Sequence, residues 1–145
     1  MTPVPPWTVP LFIIIITMAA METMRNQLEK KLKEFQGVQK DLQKTASTRN
    51  QLDVQLNENK IVKEELELLE TDANVYKLTG PVLVKQDLEE AKANVGKRIE
   101  YIEGEIKRQD ATIKDFEEKQ EKSRKELTVL QQQFQQAQAK ATGKA

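Results

Sequence analysis

Aspartate and glutamate, 23 residues in all, carry most of the acid–base or metal chemistry open to this sequence, because it contains neither cysteine nor histidine. Thiolate and imidazole catalysis, disulfides and zinc sites with Cys or His ligands are excluded at the outset. The carboxylates do not gather into a site. They are interspersed with 23 lysines and arginines, in the i to i+4 manner of solvated helix faces, with no pocket to displace their ionisation. Gly80 is a lone turn glycine and forms no phosphate-binding loop. The net charge of zero gives no overall field for nucleic acid or acidic lipid. No catalytic residue, metal or cofactor is expected. What this chain can do chemically is bury apolar surface against something else.

The run Asn74-Val-Tyr-Lys-Leu-Thr-Gly-Pro-Val-Leu-Val-Lys85 is the most pointed example. Its short arms are rich in Val, Leu and Tyr and flank Thr79-Gly80-Pro81, which is strand composition around a turn. An isolated two-stranded hairpin is marginal in water, and the sequence offers no third strand. The segment therefore predicts an oligomer joined through Val75, Tyr76, Leu78, Val82, Leu83 and Val84. Alternation puts Val75 and Lys77 on one face of the hairpin, and Tyr76 and Leu78 on the other.

The elements that position this hairpin are two heptad-patterned helices. Charged residues make up 32% of the chain, and Glu, Lys, Gln and Leu dominate after residue 22, as in coiled coils rather than layered folds. One seam runs through Leu28, Leu32, Phe35, Val38, Leu42, Thr45, Arg49, Leu52, Leu56, Asn59, Leu66 and Leu69. The other runs through Leu88, Ala91, Val95, Ile99, Ile102, Ile106, Gln109, Ile113, Phe116, Gln120, Ser123, Leu127, Leu130 and Phe134. Steps of three and four alternate as a left-handed supercoil requires, with one stutter at Ala91–Val95–Ile99. The fold class expected is mainly α: a long antiparallel two-helix coiled coil joined by a single short β-hairpin. The hairpin reverses the chain, so residue i should face a residue near 158 − i. Leu52 then meets Ile106, Leu56 meets Ile102, and Arg49 falls opposite Gln109 in a polar layer that sets register.

The expected organisation is a disordered extension over 1–20, a first helix over 21–72, the hairpin over 73–85, a second helix over 86–137 and a disordered tail over 138–145. Pro3, Pro5, Pro6 and Pro10 argue against a helix before residue 11. The apolar block Leu11–Ala20 is shorter than the roughly 17–25 residues of a bilayer span, and no basic residue precedes it. Off the seam, Ile61, Leu68 and Tyr101 lie near the hairpin and are assigned to the subunit interface. At the other end Met24, Leu28, Leu32 and Phe35 meet Leu127, Leu130 and Phe134. Frayed tips there would offer adaptable apolar surface to non-native chains.

The hairpin with its flanks, Asn57-Glu-Asn-Lys-Ile-Val-Lys-Glu-Glu-Leu66 before it and Gln86-Asp-Leu-Glu-Glu-Ala-Lys-Ala-Asn-Val-Gly-Lys-Arg-Ile-Glu-Tyr-Ile102 after it, resembles a β-class prefoldin subunit. The resemblance covers residues 21 to 145. It implies a heterohexamer of two α-class and four β-class subunits whose hairpins build β-barrels. It further implies an ATP-independent chaperone whose coiled-coil tips hold unfolded proteins, such as nascent actin and tubulin. Those clients would pass to the cytosolic chaperonin, in the cytoplasm, with neither nucleic acid nor membrane as partner. A structural coiled-coil tether is the rival; it would dimerise through the long helices.

Overall fold

The computed structural model describes residues 2, 3 and 5–143 of the 145. Helix α1 spans Thr8–Leu68, strands β1 and β2 span Val75–Thr79 and Val82–Gln86, and helix α2 spans Leu88–Ala141. Two long helices with a single hairpin between them is the architecture expected from the heptads. The helices pair within one chain, which the tether reading did not require.

Helix α1 starts at Thr8, so the expectation of a disordered extension over 1–20 and of no helix before residue 11 is corrected. The reason lies in where the prolines fall. Pro3, Pro5 and Pro6 precede the helix, and Pro10 occupies its first turn, where an amide has no intrahelical acceptor to lose. The Thr8 backbone N–H and the Thr8 hydroxyl both donate to the Pro5 carbonyl, at 3.0 and 2.6 Å, tying down the entry. No glycine or proline follows before Gly37, and the apolar block runs straight into the heptads. Met1 and Val4 of that extension, and Lys144 and Ala145 of the tail, lie outside the described residues.

The other boundaries move less. Helix α1 stops at Leu68 rather than residue 72, where a turn closed by Ala73 N–H to the Glu70 carbonyl takes over. Asp87 caps α2 by accepting the Glu90 backbone N–H at 3.2 Å, and Glu89 and Glu90 in the first turn suit the helix dipole. The tail expected to be disordered from 138 is helical to Ala141. It ends with Gly143 at φ 69, the left-handed conformation that commonly closes a helix.

Contacts divide the chain into two units: Leu42–Asp115, and Met1–Asp41 with Phe116–Ala145. In the first, Leu56, Ile99, Ile102 and Ile106 form a buried cluster with Leu52 and Val95 against it. A second cluster joins Leu66, Leu88 and Ala91, with Val75 bringing the hairpin down onto the helices. Leu52 with Ile106 and Leu56 with Ile102 fit the expected register. Arg49, expected opposite Gln109, donates from Nε to Oδ1 of the next residue, Asp110, at 2.9 Å, because a guanidinium seeks a carboxylate. Asn59 satisfies its amide within its own helix, donating to the Gln55 carbonyl at 2.7 Å.

In the second unit Leu127 is buried, and Lys31 bonds Glu126 at 2.8 Å across the helix pair. Lys31 replaces Leu32 on the seam, and Leu32 is 45% exposed. Strict alternation of four and three through Met24, Leu28, Lys31, Phe35 and Val38 demands this, whereas a step of four to Leu32 would break the phase.

Gly37 and Gly104 sit in helix interiors, and a Cβ added at either meets nothing within 4 Å. They are defects rather than close-packing sites. Gly104→Ala should therefore raise stability by up to about 1 kcal/mol, read as a higher thermal midpoint with unchanged helix content.

Candidate assembly and client surfaces

The hairpin strands pair antiparallel with Tyr76 opposite Lys85, Lys77 opposite Val84, Leu78 opposite Leu83 and Thr79 opposite Val82. Gly80 at φ 60 takes the first central position of a two-residue loop and Pro81 the second, the pattern of a type II′ connection. The sheet among the described residues has only these two strands, so each has an outer edge of unpaired backbone groups. Both faces carry apolar side chains. Tyr76, Leu78, Val82, Leu83 and Val84 are all half-exposed or more, up to 69% for Leu78. Val75 is the exception among the expected assembly residues, since it is spent on the cluster with Leu66 and Leu88.

Beside the hairpin an open groove of about 490 Å³ is lined by Val62, Leu66, Val75, Tyr76, Ala91, Val95 and Arg98, among others. Ile61, Leu68 and Tyr101 are exposed at 56%, 85% and 64%, as the off-seam reading expected. That reading missed Val54, which is exposed as well. Its signal was present in the sequence: Val54, Ile61 and Leu68 are spaced by seven.

The residues expected to hold clients are brought together, but mostly against one another. Met24, Leu28, Phe35, Leu130 and Phe134 are partly buried and Leu127 is buried, so only Leu32 of that set projects freely. Apart from Leu32 and Val129, the exposed large apolar residues of this unit, among the described residues, lie where the sequence reading placed disorder. Every residue from Leu11 to Ile16 is more than half exposed, as are Trp7 and Met18. Between the helix ends Ile13, Ile14, Thr17, Met18 and Met21 line an open groove of about 510 Å³ with Ala137, Lys140 and Ala141.

Hydrogen bonds from Arg124 and Lys31 hold Glu121 and Glu126 below the usual carboxylate range, the direction opposite to a general acid's. Lys31 and Arg49 are held above their ordinary values, first by hydrogen bonds to Glu126 and Asp110 respectively. Among the described residues no group of carboxylates is arranged to hold a metal, and no helix is long and apolar enough to cross a membrane.

The arrangement has counterparts among known proteins. A family model described as Prefoldin subunit matches residues 20–140. Prefoldin subunit 6 of Mus musculus is 52% identical over 125 residues, covering 86% of this chain and 98% of that protein. Prefoldin subunit 6 of Arabidopsis thaliana is 51% identical over 121 residues, covering 83% and 94%. The crystal structure of the prefoldin beta subunit from Thermococcus strain KS-1 superposes with a TM-score of 0.50 at 28% identity, covering 77% of this chain and 91% of that one. Matched by that model over most of its length, and sharing about half its aligned residues with animal and plant subunits, the chain belongs to the prefoldin subunit family.

Proposed function

We propose that the chain enters its hexamer as a β-class subunit through Val75–Gln86, and that its terminal unit holds non-native polypeptides for transfer to the cytosolic chaperonin. As a prefoldin subunit it is a component of a chaperone assembled with other prefoldin subunits, and not an enzyme. The observation that carries the assembly step is the two-stranded hairpin, apolar on both faces and open on both edges. Such a sheet is not stable alone; strands of sister subunits complete it. Tyr76, Leu78, Val82, Leu83 and Val84 then become barrel residues, and Ile61 and Leu68 join the interface beside them.

For client binding the support is exposed apolar surface at the other helix ends. Leu11–Ile16, Met18 and Leu32 are accessible in this unit, and long flexible side chains such as methionine adapt to varied sequences. Met24, Leu28, Phe35, Leu127, Leu130 and Phe134 join them where the helix ends part. Nascent actin and tubulin are the clients, and the site of action is the cytoplasm. Nucleotide is not consumed.

The direct test is the hexamer reconstituted with its sister subunits and mixed, without nucleotide, with a protein diluted from denaturant. Light scattering by the aggregating protein should fall in proportion to added hexamer, and addition of ATP should change nothing. Unaltered scattering at several-fold excess of hexamer would remove the holding role.

A further inference from the structure

Helix α1 carries a second stripe on the flank turned away from Leu52, Leu56 and Leu66. It reads Val54, Glu58, Ile61, Glu65, Leu68, with steps of four, three, four and three. Val54, Ile61 and Leu68 are 58%, 56% and 85% exposed. Apolar residues repeating every seven positions on a helix match one kind of surface, another helix following the same supercoil. Among the described residues neither Glu58 nor Glu65 forms an ion pair, although Lys60 and Lys63 on the same helix pair with Glu103 and Glu67. The stripe thus alternates apolar positions with unneutralised acids.

The geometry points to a lateral docking site for a helix of a sister subunit whose facing stripe alternates apolar residues with lysine or arginine. This rests on the assembly reading above and adds a contact separate from the hairpin barrel. Two observations choose that occupant. First, the stripe is continuous with the assembly segment: Leu68 is the last residue of α1, seven residues before Val75 of the hairpin. Second, its charge selects against itself. Laying two copies stripe to stripe would bring Glu58 and Glu65 of one chain against the same residues of the other, and like charges at such positions repel. A basic partner stripe is attracted instead, so the contact favours a heteromeric neighbour over a second copy and helps to fix which subunit sits beside this one.

The test is competition during assembly. Full-length wild-type chain and a variant, differently tagged, are co-expressed with the sister subunits, and their ratio in purified hexamer is read by mass spectrometry. Glu58→Lys/Glu65→Lys and Ile61→Glu should each be incorporated about tenfold less than wild type. Zero-length carbodiimide coupling on wild-type hexamer should join Glu58 or Glu65 to a helix lysine of a sister subunit. All three side chains are exposed in the free chain, so folding is spared, and an unchanged circular dichroism spectrum verifies it. Incorporation equal to wild type overturns the stripe, as does coupling found only between copies of this chain. Tyr76→Asp/Val82→Asp, run in parallel, separates the two ideas: if it too assembles normally, the hairpin reading falls rather than the stripe alone.

Discussion

Aspartate at both Tyr76 and Val82 should leave the chain helical and exclude it from the hexamer. The two positions sit on opposite faces of the hairpin: Tyr76 is on the face of Leu78 and Leu83, Val82 on that of Thr79 and Val84. Both are more than half exposed in the single chain. The substitutions therefore remove little packing from the free subunit, and circular dichroism should barely change. In the assembled barrel the same carboxylates would be stripped of water without a partner, at several kcal/mol each. A loss of more than about a thousandfold in assembly affinity follows, since each 1.4 kcal/mol is a factor of ten. Native mass spectrometry of the co-expressed subunits should show complexes lacking this chain. A full hexamer containing the double variant would show that the hairpin is not the joint.

The hairpin itself was legible in sequence because two constraints coincide there: strand composition and a turn that needs Gly80. The seam was legible for a different reason. Burial follows the 3.5-residue repeat so closely that Leu52, Leu56, Ile102 and Ile106 could be matched across the helices by arithmetic, and they share one cluster. Failures arose where a local rule was read without its position. Proline breaks a helix interior, but Pro10 is in a first turn, so the helix reaches back to Thr8. Leu32 is the more hydrophobic neighbour, yet Lys31 holds the phase and satisfies its charge on Glu126. Apolar character proposes a seam residue, and periodicity decides it. Val54 was overlooked for a related reason: one exposed valine is ordinary, and it acquires meaning only from Ile61 and Leu68 at the same spacing.

Those corrections sharpen the expected result at the helix ends. Removing residues before Phe35 and after Ser123 should leave a hexamer that forms normally but no longer suppresses aggregation of a denatured protein. Assembly survives because Leu42–Asp115, with both buried clusters and the hairpin, is untouched. Holding fails because the truncation removes every accessible apolar residue of the terminal unit, Leu11–Ile16 and Leu32 included. A milder variant separates surface from length. Serine or glutamine at Leu11, Phe12, Ile15 and Ile16 keeps the backbone but deletes exposed side chains that each offer roughly 1.5–3 kcal/mol when buried. Even partial coverage by a client makes this block worth more than any seam residue, because Leu28 and Phe134 must first part from their neighbours before they can be offered. The polar variant should therefore lose most of the holding activity while Leu28→Ser loses less and chiefly lowers thermal stability. Should the truncated hexamer protect the denatured protein as well as the full-length one, client binding belongs to the hairpin unit, and the groove beside Tyr76 would be the place to look.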